Sequence, residues 1–305
     1  MGQVFRAAHL VREMEHEDIR VLMGIELGMR RFTYVPMDQI SFYARIDRSN
    51  TQYRLDRLDR FGLLQRNSEH NYIGYQLISE SYDVLALNAL VEKGIIDAVG
   101  ETIGRGKESD VFFGKCPDGS QVALKFHRIG QNSFRKVRQL RSYVEKRSHI
   151  SWLYVSRLSA EREFEGLQKV YSLGLNTPKP IAQNRHIVVM SLIKGNELNE
   201  TPIQGDPMPI LDEILNQVER YFIQGKIIHC DLGEFNILLT EDQKVIFIDW
   251  PQWESAEHPN AMSYLGRDLI NINTYFEKNY GINFDVDQYL DRLFGQDRPP
   301  LNLID

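Results

Sequence analysis

The chain has 305 residues, 42% hydrophobic and 26% charged, with a formal net charge of −6. At ~100 to 200 residues per domain, this length points to two domains with room for a buried core, and the composition excludes disordered and fibrous classes. No apolar run approaches the ~20 residues of a membrane helix, the amino terminus lacks the apolar core of a secretion signal, and the two isolated cysteines, Cys116 and Cys230, exclude a disulfide framework and argue against structural zinc. A cytoplasmic protein is expected.

The charge is unevenly spread. Between Lys125 and Arg157 nine Lys or Arg stand against one acid, Glu145, a local net of +8, whereas from Glu197 to Asp305 seven basic residues meet twenty acids, a net of −13. A basic segment in an acidic chain is a candidate anion-binding site.

In chain order, Glu15 to Arg31 carries Ile19, Leu22, Met23, Ile25, Leu27 and Met29 close to one helical stripe. A second helix is predicted near Met37 to Ile46, after Pro36, and a third, capped by Ser49 or Asn50, runs to Phe61 and stops at Gly62. Two β-rich runs follow, Leu63 to Asn67 and Tyr72 to Ile78, so three helices and a hairpin predict a winged-helix domain. Its third helix, with Arg54, Arg57 and Arg60 just after Arg48, is the candidate for contacting nucleic acid, although Asp56 and Asp59 interleave with those arginines and a self-paired solvated face or a protein-docking module fits as well. Ser81 to Lys93 reads as a linking helix ended by Gly94.

From Ile95 the pattern becomes strands, then helices. Val99 to Gly104, Ser109 to Lys115 and Gln121 to Phe126 are predicted strands, with a Pro117-Asp118-Gly119 turn between the last two. A helix follows at Ser159 to Leu173, a strand at Ile187 to Leu192, an amphipathic helix at Ile210 to Gln224, and two β-rich runs at Asn236 to Thr240 and Lys244 to Asp249.

Four local signals occur in a meaningful order. Residues 103–111, I-G-R-G-K-E-S-D-V, form a glycine-bearing turn between strands, where backbone amides can approach phosphate while Lys107 and Ser109 add a charge and a hydroxyl; the spacing is not that of a Walker A loop. Lys125 ends the apolar run Val122-Ala123-Leu124, as in the kinase lysine that pairs with nucleotide phosphates and a helix glutamate. Glu161, Glu163 and Glu165 are available, and Glu163 fits best because it precedes Leu167 and Val170 by four and seven residues. His229-Cys230-Asp231-Leu232-Gly233-Glu234-Phe235-Asn236 reads H-x-D-x-x-x-x-N, in which Asp231 orients an attacking hydroxyl and Asn236 offers an oxygen to magnesium. Asp249 ends the apolar strand Val245-Ile246-Phe247-Ile248, thirteen residues past Asn236, and is expected to be the main magnesium ligand.

With these motifs in order, the sequence resembles the RIO-type atypical serine/threonine kinases, specifically the branch with an amino-terminal winged helix. The resemblance is carried by G-R-G-K-E-S-D-V, V-A-L-K, S-W-L-Y, E-R-E-F-E-G-L, H-C-D-L-G-E-F-N and I-D-W-P, and covers Met1 to about Leu293. Ordinary protein kinases have D-F-G and A-P-E, whereas this chain has Ile248-Asp249-Trp250 and no A-P-E. Only 56 residues follow Asp249, too few for an activation segment and peptide-gripping helices, and the lack of long charged tails suits a compact archaeal form.

The resemblance implies an α+β chain: a winged helix over residues 1–80, a linking helix over 81–94, and a trimmed, bilobal kinase-like domain over 95–305, with lobes of about 95–190 and 194–295. It implies ATP and Mg2+ as cofactors, with Mn2+ as a substitute, a role in small ribosomal subunit maturation, and turnover resembling an ATPase switch in which the metal-site aspartate itself receives phosphate. Residue by residue, Gly104, Gly106, Lys107 and Ser109 contact phosphates, Lys125 takes the α and β groups, Met190 guards the adenine pocket, and Ser191 and Ile193 offer backbone groups to the base. Ser191 departs from the acidic residue more usual there. The basic stretch Ile129 to His149 is expected to contact ribosomal RNA, against the alternatives of a solvated insertion or a contact with the acidic carboxy-terminal part, and Ser133, Ser142 and Ser148 are candidate autophosphorylation sites. Two rival functions remain: a nucleotide-binding assembly factor without productive transfer, and a small-molecule kinase sharing the H-x-D-x-x-x-x-N loop.

Overall fold

The computed structural model describes residues 2–68, 72–129, 152–295 and 301; most of the basic stretch 129–149, with Ser133, Ser142 and Ser148, lies outside them. The chain divides into two compact units, residues 1–160 with 183–188, and residues 161–182 with 189–305.

The first unit begins with helices α1 (Gln3–Glu13) and α2 (His16–Gly28), strand β1 (Val35–Pro36), helices α3 (Met37–Ala44) and α4 (Arg48–Arg60), the hairpin β2 (Leu64–Asn67) and β3 (Gly74–Leu77), and α5 (Ser79–Glu92). Four helices thus precede the hairpin, one more than expected. The extra helix, α1, buries Val4, Ala7 and Leu10, with Phe5, Ala8 and Val11 also apolar, and ends before the stripe that the sequence reading began at Glu15. Val35 pairs with Tyr75 and Leu64 with Leu77, giving an antiparallel sheet of order β1-β3-β2. Gly24 lets α2 approach α3, since a side chain there would stand 3.0 Å from the Ile40 carbonyl. Helix α4 starts earlier than the expected Ser49 or Asn50 cap: Asp47 is its cap and its carboxylate accepts the Asn50 N–H at 2.9 Å.

The arginines of α4 do not form a free basic face. Arg54, 9% exposed, pairs with Glu15 (2.7 Å), Glu17 (3.6 Å) and Asp18 (3.3 Å). Arg57 pairs with Asp18 (3.1 Å) and Glu15 (3.2 Å) and donates to the Glu13 carbonyl (2.6 Å), while Arg48 pairs with Asp38 (3.2 Å) at the surface. Asp18 is wholly buried, so these bonds compensate a charge that α2 could not otherwise bury. Arg60 and Arg48 stay exposed on α4, and Phe42 and Tyr53 are exposed beside them on α3 and α4.

After α5 come β4 (Ala98–Arg105), β5 (Ser109–Lys115) and β6 (Gln121–His127), close to the expected strands. With β7 (Pro180–Asn184) and β8 (Ile187–Ser191) they give a five-stranded sheet of order β4-β5-β6-β8-β7. The expected turn is present: Gly119 has φ +85°, and Asp118 accepts the Ser120 N–H at 2.9 Å. Helix α6 (Trp152–Ser172) starts seven residues before the expected Ser159, taking the Trp152-Leu153-Tyr154 run into its first turn.

The second unit contains β9 (Gly195–Glu197), α7 (Met208–Ile223), β10 (Ile227–Ile228), β11 (Ile237–Thr240), β12 (Val245–Phe247), β13 (Glu254–Ser255), α8 (Ala261–Tyr280) and α9 (Val286–Phe294). Helix α7 buries Leu211, Ile214, Val218 and Phe222 of its expected apolar side, together with Ile210 and Tyr221, while Leu215, expected on that side, is only half-buried. The strands form two small antiparallel sheets, β12-β11-β9 and β10-β13. The core of this unit is aromatic, with Tyr221 packed edge-on against Trp250 (5.4 Å) and Phe247 (6.0 Å).

Candidate active site

The loop His229 to Asn236 joins β10 to β11, and its shape is imposed by α8. Asp268, wholly buried, accepts the N–H groups of Cys230 (2.8 Å) and Leu232 (3.0 Å), which flank Asp231. Arg267 donates to the Cys230 carbonyl (2.6 Å) and Asn271 to the Leu232 carbonyl (3.0 Å). These bonds hold Cys230 at φ +65°, a conformation that L-residues adopt only under external support. Burial pushes the Asp268 carboxyl up to about 7, the two N–H bonds opposing that rise. Burial also pushes the Cys230 thiol far above its usual range, so it is no nucleophile at neutral pH.

Asp231 itself is exposed, and its Oδ2 accepts from the Gln252 amide at 2.9 Å. Asn236 donates through Nδ2 to the Asp231 carbonyl (2.7 Å), which leaves its amide oxygen as the group a cation can use. In the β11–β12 register Ile237 faces Phe247, and the Ile248 N–H donates to the Asn236 carbonyl (3.0 Å), so Asn236 stands opposite Ile248 and Asp249 follows one residue further at the same end of the hairpin. His229 bonds the Ile248 carbonyl through Nε2 (2.9 Å) and rests on Trp250 (4.4 Å between rings). Asp249 stands at φ +66°. Behind it, Gly166 of α6 makes room for the tryptophans: a side chain there would meet Trp253 at 2.7 Å and Trp250 at 3.1 Å, which explains the glycine of E-R-E-F-E-G-L.

One carboxylate and one carboxamide suit Mg2+, which takes few protein ligands and completes its octahedron with water and phosphate oxygens. Among the described residues no cluster of three or more His, Cys, Asp or Glu could hold a metal unaided. The donor set therefore fits a cation delivered with a phosphate ligand.

The other expected site residues fall as follows. Lys125 is buried in β6 opposite Val111. The Gly104 to Ser109 turn closes through Gly106 N–H to the Ser109 carbonyl (2.7 Å), with Gly104 and Lys107 exposed. Of the three acids on α6 only Glu163 is buried, on the face of Leu167 and Val170; Glu161 is intermediate and Glu165 exposed. Met190 is buried in β8, and the Ser191 N–H is engaged by the Lys179 carbonyl (2.9 Å). Ile193 lies two residues beyond β8. Sequence reasoning missed Asp268, Arg267, Asn271 and Gln252. Asp268 had a legible signal, a lone acid on the apolar stripe Leu265, Leu269 and Ile272.

An H-x-D-x-x-x-x-N loop on a helical unit, paired with a strand aspartate and preceded by a five-stranded sheet carrying a buried lysine, is the framework of a protein-kinase-like domain. Only eleven residues separate Asp249 from α8, leaving no room for a long activation segment. The chain belongs to the RIO family: the RIO domain model matches residues 110–289, and the model described as Rio2, N-terminal, matches residues 11–93. It is 37% identical over 271 residues to the serine/threonine-protein kinase RIO2 of Caenorhabditis elegans, covering 89% of this chain and 51% of that protein. It is 40% identical over 255 residues to the RIO-type serine/threonine-protein kinase Rio2 of Methanocaldococcus jannaschii, covering 82% and 92%. The chain thus spans about half of the nematode relative and nearly all of the archaeal one. It also resembles the crystal structure of the Chaetomium thermophilum Rio2 kinase in an ADP/Mg2+–phosphoaspartate complex, with TM-score 0.78 and 33% identity, over 95% of this chain and 89% of that one. Among the described residues no helix is long and apolar enough to cross a membrane.

Proposed function

We propose that the chain is an ATP- and magnesium-dependent serine/threonine phosphotransferase with ATPase turnover that acts in small ribosomal subunit maturation. The observation carrying this reading is the pairing of Asn236 with Ile248, the residue before Asp249, together with the bond from Asn236 to the Asp231 carbonyl on the same braced loop. Asn236 and Asp249 would hold Mg2+, which when bound would neutralise charge on the phosphates. Lys125 takes the α and β phosphates, and Gly104, Gly106, Lys107 and Ser109 take those nearer the γ end. The Ser191 carbonyl and the Ile193 backbone hold adenine beside Met190.

Asp231, with Oδ2 held by Gln252, orients an acceptor hydroxyl or a water and receives its proton. On the covalent route, a carboxylate oxygen of Asp249 bonds to the γ-phosphorus as the bond to the β,γ-bridging oxygen breaks and ADP departs. Water then cleaves the acyl phosphate, releasing phosphate and restoring the carboxylate. The phosphoaspartate of the Chaetomium relative supports this route. Ribosomal RNA is the partner proposed for the basic stretch 129–149, with the winged helix contributing through surfaces other than Arg54 and Arg57.

The test is single-turnover transfer from γ-labelled ATP. Wild-type protein gives label that is acid-labile and hydroxylamine-sensitive, and Asp231→Asn or Asp249→Asn lowers transfer by ~100-fold or more with the fold intact. Undiminished transfer by folded Asp249→Asn protein overturns the assignment, and binding without hydrolysis by the wild type would favour a nucleotide-sensing assembly factor.

A further inference from the structure

Asp83, on α5, is a fully buried carboxylate far in sequence from every residue given a role above. A carboxylate has about four acceptor positions, and all four are filled. Oδ1 accepts from Arg128 Nη1 (2.8 Å) and His186 Nε2 (2.7 Å), and Oδ2 from Arg128 Nη2 (2.9 Å) and Gln3 Nε2 (2.9 Å). The Arg128 fork is therefore bidentate, the geometry that fixes both distance and orientation. Its Nη1 also reaches the Ser79 hydroxyl at 3.0 Å, and its guanidinium lies over the Phe126 ring.

The other end of Arg128 faces the glycine turn. Its backbone N–H donates to the Glu108 carbonyl at 2.7 Å, and its Nε lies 3.8 Å from Asp110. These two residues flank Ser109, whose carbonyl closes the turn onto Gly106. Arg128 thus grips the glycine turn with its main chain and the last helix of the amino-terminal domain with its side chain, three residues past Lys125.

We propose that Arg128 is a positioning residue for the phosphate-contacting turn, anchored by Asp83, so that the winged-helix domain and the turn move as one piece. The proposal rests on the reading of residues 104–109 as phosphate-contacting. It carries a regulatory consequence: a partner that displaces α5 when it docks on the winged helix changes nucleotide affinity, and nucleotide changes the affinity of that partner by the same factor. A purely structural tether behaves differently, and the fold contains one for comparison. Arg185 bonds Glu26 of α2 (2.7 Å) and the Leu85 carbonyl (3.3 Å) without touching Arg128 or the turn.

The experiment compares full-length wild type, Asp83→Asn, Arg128→Lys and Glu26→Gln. It measures amide hydrogen exchange over residues 104–110 without nucleotide, and KM and kcat for Mg-ATP. Asp83→Asn should speed exchange in the turn roughly tenfold and raise KM by about the same factor with kcat changed less than about threefold. Arg128→Lys, which keeps the main-chain bond and one point of contact, falls between Asp83→Asn and wild type. Glu26→Gln leaves both the turn and KM unchanged. If Asp83→Asn fails to fold, Arg128→Lys decides alone. Unchanged exchange in the turn of a folded Asp83 or Arg128 variant, or an equal response to Glu26→Gln, overturns the proposal. Faster exchange in the turn alongside a wild type that neither binds nor hydrolyses ATP sustains the anchoring and overturns the catalytic reading instead.

Discussion

Replacing Asp268 with alanine tests how the catalytic loop is held. Asp268 is 0% exposed and accepts two backbone N–H groups, from Cys230 at 2.8 Å and Leu232 at 3.0 Å. Each buried donor left without an acceptor costs about 1–3 kcal/mol, so the variant should lose about 2–6 kcal/mol. The positive φ of Cys230, worth about 1–3 kcal/mol of strain, then relaxes and limits the loss towards the lower end. That relaxation moves Asp231, and a displacement of ~1 Å at a reacting group costs about 100-fold in rate. Urea denaturation followed by tryptophan fluorescence reads the first effect, because Trp250 and Trp253 are buried in the same unit and Trp250 rests on His229. Single-turnover transfer reads the second. Asp268→Asn, which keeps one acceptor oxygen, should fall between alanine and wild type in both. An alanine variant within about 0.5 kcal/mol of wild type, with its transfer rate intact, would refute the view that α8 shapes the loop.

Two further outcomes follow from the paired charges. Arg54→Met should cost about 3–5 kcal/mol, because it strips a partner from the buried Asp18. The same variant should leave the slope of RNA affinity against salt unchanged, and a loss of about one unit of slope would mean that Arg54 contacts phosphate after all. Stability should also fall on acidification. Burial holds the His186 imidazole below its ordinary value of 6.5, and although burial alone would raise the Asp83 carboxyl, the bonds from His186 and Arg128 hold it below its ordinary value. In both cases the unfolded chain binds the extra proton, so stability is present at neutral pH. It begins to be lost as pH drops below about 6.5 through His186, and further below about 4 through Asp83. Thermal melts of wild type against His186→Gln should therefore converge between pH 7 and pH 5; parallel curves would count against the linkage.

The functional motifs were legible because each is local. A glycine turn between strands, a lysine closing an apolar strand, and an acid and an amide five residues apart in one loop are spacings that backbone geometry converts directly into position. Helix α1 and the early start of α6 were not read from the sequence although apolar residues recur in both, Val4, Ala7 and Leu10 in the first and Trp152, Leu153 and Val155 in the second. A short apolar run does not by itself fix where a helix begins. The arginines of α4 show the opposite limit. Their basic periodicity was visible, yet Arg54 and Arg57 turn inward because Asp18, some three dozen residues earlier, needs compensation once α2 is buried.

Sequence alone determined the order of the candidate catalytic motifs along the chain and the family to which the chain belongs. Folding alone decided which charges are engaged. Asp268 braces a loop 36 and 38 residues away, and Asp83 meets Arg128 and His186 at separations of 45 and 103. Partners that distant are chosen by packing and by the cost of leaving a buried charge uncompensated, and no local periodicity encodes that cost.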